Sequence, residues 1–377
     1  MDIVNAFDFQ LSTRISFGVG ATRSAGKELA SHGIKKSLVV TDAGIMGTGI
    51  LQPIEKSLAD AHVRYEVFSN VASNPTAENI QEGARLMDAG RFEAILAIGG
   101  GSPLDTAKGI VAAVALGGNI LNHEGWVEIP GSPPPIIAIP TTAGTGSEVS
   151  LWAVISDVKT HRKIAIGNAK IAPILAILDP EMTYSLPKHL TAYTGLDALT
   201  HAIEAYTSKL ANPLSDGLAF AAIQHVGSSL IKAYQSPRDQ TARGNMLVAS
   251  TMAAMAFNMA DLGAVHSIAE AIGGLYNLHH GLACGAALPE VIAYNASSAP
   301  EKFSGIAIAL GRQDGNACAA IAQLTSRMDV PPLNKTGIRK EDVAWLAKAA
   351  ADNIATPNNA RAIGEVDFLQ IFTKASS

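Results

Sequence analysis

Charged side chains and cysteines are scarce in this sequence. Asp, Glu, Lys and Arg make up 16% of the chain, and the net charge is -5, with no basic block of the kind a nucleic-acid surface needs. The two cysteines, Cys284 and Cys318, are too few for a disulfide framework and point to a reducing compartment. Cys284 lies in an apolar stretch of small residues and reads as packing, not as a nucleophile. No stretch reaches the roughly 18 uninterrupted apolar residues that a membrane span needs. The N-terminal MDIVNAFDF carries two aspartates and no basic region, so it does not read as a signal peptide. What remains is a cytoplasmic, globular chain, 48% hydrophobic, whose apolar excess is buried in its own fold or against another subunit. Its 377 residues are too many for one ordinary core, so two domains are expected.

The first half alternates strand and helix signals. Ser37 to Thr41 is a short apolar, β-branched run that ends at Asp42. A helical stretch from Ile50 to Ala61, an alternating strand from Arg64 to Phe68 and a helix from Ala77 to Gly90 follow. Ala94 to Ile98 reads as a buried strand running into Gly99, Asp105 to Leu116 as a helix, and Pro135 to Ile139 as another buried strand. Short continuous apolar strands between helices predict a doubly wound, mostly parallel sheet. Beyond residue 185 the chain turns to Ala-, Leu- and Met-rich segments at helical spacing, over about 189–208, 213–235, 239–259, 261–275 and 300–327. The expected division is an α/β domain over 1–183 and an all-α domain over 184–377, with the cleft between two such domains as the natural ligand site.

Between a buried strand and a helix lies Gly99-Gly100-Gly101-Ser102-Pro103-Leu104-Asp105-Thr106-Ala107-Lys108. Three glycines let backbone N–H groups approach a phosphate, and the helix N-terminus behind them favours an anion. Ser102 can cap the helix or donate to a phosphate. A plain tight β–α turn is the simpler reading, though three consecutive glycines are entropically costly without a purpose. The ordinary G-x-G-x-x-G fingerprint is absent. Asp42, at a strand's carboxyl end, suits a ribose diol and repels a 2′-phosphate; Asp is also common as a helix cap. The run from Pro140 to Glu148, with Thr141, Thr142 and Thr145, either completes a nucleotide pocket or is a Gly/Thr-rich connector.

Asp197 and His201 are four residues apart, which puts a carboxylate and an imidazole on one helix face within reach of one ion. Glu204 follows, at an offset expected to rotate it away. His266 opens another helical segment, and His280 lies in Leu278-His279-His280-Gly281. One carboxylate and three imidazoles suit Fe²⁺ or Zn²⁺ and not Mg²⁺ or Ca²⁺. A His–Asp pair on a helix is more often an ordinary hydrogen bond, so spacing alone leaves both readings open. The other histidines (His32, His62, His123, His161, His189, His225 and His279) read as surface or structural.

Together these residues resemble the iron-containing (group III) alcohol dehydrogenases, the family that includes lactaldehyde reductase and 1,3-propanediol dehydrogenase. The resemblance spans the whole chain, from Ile15-Ser16-Phe17-Gly18 through VTD (40–42), SNPT (73–76), GGGSPLDTAK (99–108), IPTTAGTGSEV (139–149), TGLDALTHAIEAY (194–206) and HHG (279–281). It implies a dehydroquinate-synthase-like fold: an α/β dinucleotide-binding domain followed by a helical metal-binding domain. It further implies an NAD-dependent alcohol dehydrogenase or aldehyde reductase with one divalent metal, iron first and zinc second, on Asp197, His201, His266 and His280. Asp42 would contact the adenosine ribose, favouring NAD over NADP. Asn74, Gly99, Gly100, Gly101, Ser102, Asp105, Thr141, Thr142, Thr145 and Lys163 would line the nucleotide. Family members are commonly homodimers or larger, pairing through N-terminal strands such as Phe7 to Phe17 here.

Three departures from the family pattern stand out. Glu270 occupies the place of a usual second His near the nicotinamide, and reads as a proton relay, an added metal contact or the mark of another substrate class. Trp152 stands where a polar residue usually faces the substrate; Phe257 and the loop from Thr356 to Arg361 are further pocket candidates. Asn359-Ala360-Arg361 replaces the usual Asn-Pro-Arg. Two alternatives share the scaffold: a metal-independent reductase of the maleylacetate type, which predicts loss of the ligands, and an NAD- and metal-using lyase of the dehydroquinate-synthase type, whose motifs differ. A nucleotide-sensing binding module is a third, and the complete ligand set argues against it.

Overall fold

The computed structural model describes residues 6–160 and 162–376, so the expectations for His161 and for the first five residues lie outside the described residues. Leu11–Thr142 and Gly146–Leu186 form one compact unit. The described residues before Leu11, the stretch Ala143–Thr145 and the described residues from Pro187 onward form the other.

The first unit opens with β1 (Arg14–Phe17), α1 (Ala25–Ser31), β2 (Lys36–Val40), the short α2 (Ala43–Met46), α3 (Gln52–Asp60) and β3 (Arg64–Phe68). It continues with α4 (Ala77–Gly90), β4 (Ala94–Gly99), α5 (Gly101–Leu116), β5 (Gly125–Trp126), β6 (Ile136–Pro140), β7 (Trp152–Asp157), β8 (Arg162–Gly167) and β9 (Leu175–Leu178). Six of these strands form a parallel sheet in the order β1-β9-β6-β4-β2-β3. Every residue of β4 and β6 is buried, which is why both read as unbroken apolar runs. Alternation sorts the side chains between the faces. Leu38, Val40, Ile95 and Ala97 meet Ile80 of α4 and Ile110 of α5 on one side. Val39, Leu96 and Ile98 meet Leu29 of α1 and Ile54 and Leu58 of α3 on the other. Each fully buried Ile or Leu contributes about 1.5–3 kcal/mol, so both faces are needed to hold the sheet. The expected doubly wound sheet is present. The remaining strands make a small second sheet, β5-β8-β7, in which β7 and β8 run antiparallel.

This strand order reverses between β2 and β4: the chain leaves β2 for β3 on one side, then returns to β4, β6 and β9 on the other. Ligands of open α/β sheets bind outside the carboxyl ends of the strands at such a reversal. Asp42 follows β2 and the glycine triplet begins at the end of β4, so both flank that point.

The second unit is helical: α6 (Lys188–Thr207), α7 (Pro213–Gln235), α8 (Gln240–Ala260), α9 (Ala264–Tyr276), α10 (His280–Asn295), α11 (Pro300–Ala309), α12 (Ala317–Ser326), α13 (Val343–Ala351) and α14 (Glu365–Ala375). Every residue of α6 from Thr194 to Ala205 is buried, making it the central helix of this core. The single helix expected over 300–327 is two helices. Gly311 and Gly315, at φ 92° and 69°, take left-handed conformations that end one and precede the other. Among the described residues, no single helix is long and apolar enough to cross a membrane.

Helix α10 approaches α6 so closely that a Cβ on Gly281 would lie 2.4 Å from the Tyr193 carbonyl oxygen. Backbone cannot yield as a flexible side chain does. Gly281→Ala should therefore lower stability by about 1–3 kcal/mol, against the gain of about 0.4–1 kcal/mol that removing a compatible glycine brings. The urea midpoint of purified protein reads the sign, and a rise contradicts this packing.

Candidate metal centre and nucleotide cradle

Helices α6, α9 and α10 converge their polar side chains in the helical core. One donor atom each from Asp197, His266, His280 and Cys284 lies within 4.8 Å of the others. Asp197 and His266 are 2% exposed. The Asp197 Oδ1 atom is 3.8 Å from His266 Nε2 and 3.6 Å from His280 Nε2. These gaps exceed hydrogen-bond length. Two ligands bonded to one ion at about 2.0–2.2 Å with tetrahedral angles lie about 3.4 Å apart, which is close to the observed spacing. Asp197 Oδ1 and His266 Nε2 are buried and have no hydrogen-bond partner among the described residues. Leaving a buried polar atom unsatisfied costs about 1–3 kcal/mol. Two such atoms aimed at one point fit a cation, and the N, O and S donor set fits a divalent transition ion and not Mg²⁺.

The ring of His266 is held from behind. Its Nδ1 donates to Glu204 Oε2 at 2.5 Å, which leaves Nε2 as the bare nitrogen facing Asp197. Glu204 Oε1 accepts the Val265 N–H at 2.6 Å, and Asn359 Oδ1 accepts the Ala264 N–H at 3.2 Å, so two N–H groups of the first turn of α9 are satisfied by side chains. The expectation for Glu204 is corrected here. Glu204 is seven residues from Asp197, close to two helical turns, so it shares the buried face and does not rotate away. Burial alone would pull the His266 pKa down; Glu204, by charge and hydrogen bond, and Asp197 raise it overall.

His201 is not among the four clustered donors. Its ring stacks on His266 at 4.5 Å, and its Nδ1 lies 3.2 Å from the Gly144 carbonyl, which fixes the tautomer with Nε2 as the acceptor. Burial pushes its pKa down to about 4 against the pull of Asp197, so the imidazole is neutral and able to ligate. Phe257 of α8 packs on this ring at 4.8 Å, bringing a residue expected in the substrate pocket to the cluster. Glu270, one turn beyond His266 on α9, is outside the cluster and accepts from Asn353 Nδ2 at 2.5 Å. Asn359 makes two bonds with Asn295, at 2.8 and 2.9 Å, and donates to the Arg361 carbonyl at 2.7 Å, so the loop is tightly held without the usual proline.

In the α/β unit, Gly99 has φ 154°, and a Cβ there would strike the Pro103 ring at 2.4 Å, so only glycine fits. Gly100 lies under Thr142, whose Cγ2 would be 3.2 Å from a Cβ at Gly100. No side chain caps the N-terminus of α5, which leaves its first N–H groups for an anion. The Ser102 hydroxyl donates to the Ser73 carbonyl at 2.5 Å instead of capping α5. Asp42 accepts the Ile45 N–H at 3.0 Å as the N-cap of α2, the local role open to it from the start. Asn74 and Lys163 meet at 3.0 Å. Thr141 follows β6 and is buried, Thr142 is half-buried, and Thr145 belongs to the helical unit. Trp152 lies over Gly167 and edge-on to Trp126 at 5.9 Å, within the small sheet.

Asp105 works mainly inside the protein. It accepts from Ser147 Oγ at 2.5 Å and Val154 N at 3.2 Å, and pairs with Lys108 at 3.2 Å. Sequence reasoning passed over Lys108, which is fully buried and donates to the Trp152 carbonyl at 2.5 Å. Burial lowers its pKa, with Asp105 pulling the other way. Cys284 was also passed over as a site residue. Its signal was the four-residue spacing from His280, the same spacing that joins Asp197 to His201.

Residues 12–180 match the model for iron-containing alcohol dehydrogenase, and residues 191–376 that for the C-terminal part of the Fe-containing alcohol dehydrogenase family. The choline dehydrogenase of Bacillus subtilis (strain 168) is 35% identical over 97% of this chain and 94% of its own. A solved 1,3-propanediol oxidoreductase superposes with a TM-score of 0.95 at 35% identity, covering 98% of this chain and 100% of that one. The sulfoacetaldehyde reductase of Bifidobacterium kashiwanohense, solved with NAD⁺, gives 0.90 at 28% identity over 99% of both chains.

If Glu204 orients His266 as a ligand, Glu204→Gln should weaken divalent-metal binding by about 10- to 100-fold. Competition against a chromophoric chelator measures this, and an unchanged affinity removes Glu204 from the centre.

Proposed function

We propose, from the premise that this chain belongs to the iron-containing alcohol dehydrogenase family, that it moves a hydride between NAD(H) and a small alcohol or aldehyde at a metal held by its helical unit. By that membership it is a metal-dependent alcohol oxidoreductase. The observation that supports the site most directly is the pair of buried, unpartnered atoms Asp197 Oδ1 and His266 Nε2. We assign Asp197, His266 and His280 as ligands, with His201 adding a nitrogen from Asp197's own helix. Iron is the first ion assigned and zinc the second.

Bound there, the ion supplies Lewis acidity, polarising a carbonyl oxygen or lowering the pKa of an alcohol. The chain's part is positioning. Glu204 fixes the His266 tautomer, Gly144 that of His201, and the α6–α10 contact at Gly281 fixes the distance between Asp197 and His280. Phe257 shields His201 and is assigned to the substrate side, with Trp152 as the α/β unit's aromatic candidate for the same task. Glu270, held by a neutral amide donor, is assigned the proton relay between the reacting alcohol and water.

The division of labour follows the two units: nucleotide on the α/β unit and metal on the helical one. The glycine turn and the uncapped end of α5 bind the pyrophosphate, and the second oxygen of Asp42 faces the ribose and disfavours a 2′-phosphate. Asn74, Thr141, Thr142, Thr145 and Lys163 line the nucleotide. Asp105 supports that lining by tying α5 to β7. We further assign the protein to the cytoplasm and to a homodimer. β1 is an edge strand, and Phe17 at its end and Val19 just after it are about half exposed, a surface suited to pairing with a second copy.

Protein loaded with Fe²⁺ or Zn²⁺, given NADH and a panel of small aldehydes, should consume NADH. A chelator should abolish this turnover and either ion restore it, as followed by NADH absorbance. Full turnover by verified metal-free protein contradicts the mechanism.

A further inference from the structure

We propose that Cys284 is itself a donor to the metal centre. The proposal rests on the assignment of a metal to Asp197, His266 and His280. Cys284 is fully buried on α10, one turn after His280, with its Sγ within 4.8 Å of the donor atoms of all three residues. Sγ is 3.6 Å from His280 Nε2. Bonds of about 2.3 Å to sulfur and about 2.0–2.1 Å to nitrogen, at a tetrahedral angle, put those two atoms about 3.6 Å apart. The observed separation is that of two ligands on one ion.

Two helices then contribute in the same way. Asp197 and His201 are a four-residue pair on α6; His280 and Cys284 are a four-residue pair on α10. The thiol has little freedom to turn elsewhere. A Cβ on the neighbouring Gly281 would meet the Tyr193 backbone, and one on Gly285 would lie 2.7 Å from a Leu196 methyl, so this stretch of α10 is pressed against α6. The competing reading is a weak S–H hydrogen bond to His280 Nε2. That bond leaves Asp197 Oδ1 and His266 Nε2, both buried, without partners, whereas a shared ion satisfies all four groups.

The chemistry balances without an oxidant. The divalent ion displaces the thiol proton, a metal–sulfur bond replaces the S–H bond, and the proton leaves to buffer. A thiolate is a soft donor that a divalent transition ion such as zinc accepts readily.

Zinc-edge X-ray absorption of the full-length, zinc-loaded protein tests this directly. We expect one sulfur scatterer at about 2.3 Å beside nitrogen and oxygen at about 2.0–2.2 Å. Cys318→Ser should retain the sulfur shell. Cys284→Ser should lose it and bind zinc about tenfold or more weakly. Stoichiometric zinc with only nitrogen and oxygen neighbours overturns the proposal while leaving the metal reading intact. Failure to bind stoichiometric zinc or iron overturns both. A sulfur shell that persists in Cys284→Ser also overturns it. The wild-type spectrum decides even if the Cys284 variant fails to fold.

Discussion

Inside the helical core, a carboxylate oxygen on Asp197 and a ring nitrogen on His266 face each other at 3.8 Å with no hydrogen-bond partner among the described residues. Most of the surrounding structure can be read as arranging that confrontation. Glu204 holds the far side of the His266 ring and the first turn of α9 at once. Gly281 lets α10 lie against α6, so that His280 arrives from a third direction. Asn359 ties the start of α9 to the end of α10 and to the C-terminal loop. A core that tolerates two unsatisfied polar atoms gives up about 1–3 kcal/mol for each. A bound cation returns that energy and more, which makes the centre a part of the fold as well as of the chemistry.

The α/β unit solves a different problem with similar means. Its sheet places the ends of β2, β4 and β6 together at the reversal of strand order, and the residues expected to meet a nucleotide follow those ends. The glycine triplet keeps bulk away from the N-terminus of α5. Lys108 and Asp105 brace that helix from inside, against the Trp152 carbonyl and the Val154 N–H. A buried lysine is costly, so it survives where its ammonium is fully used, here by a carboxylate and backbone carbonyls.

The doubly wound sheet was legible because its central strands are buried on both faces and read as pure apolar runs, with glycine or Asp at their ends. Four of the helices of the second unit were legible from their spacing. α10 was not, because it carries Gly281, Gly285 and an interior proline, Pro289, and is held by packing more than by propensity. The 300–327 stretch lacks a proline at its break and so looked continuous; two left-handed glycines divide it. At the site, Asp197, His266 and His280 could be named from spacing together with family resemblance. His201 could be named too, although the structure turns its Nδ1 to the Gly144 carbonyl and leaves it at the edge of the cluster. Glu204 was placed off the site face although it lies seven residues, close to two helical turns, from Asp197. Cys284 was hidden by its small apolar neighbours, a context that suggests packing whatever lies across the helix interface.

Anomalous diffraction from a crystal of the zinc- or iron-loaded protein, collected at the absorption edge of the ion, locates the ion among these side chains directly. One strong peak is expected in the helical unit, about 2.0–2.2 Å from Asp197 Oδ1, His266 Nε2 and His280 Nε2. A fully loaded crystal with its peak elsewhere, and a hydrogen-bonded Asp197 and His266, would contradict it.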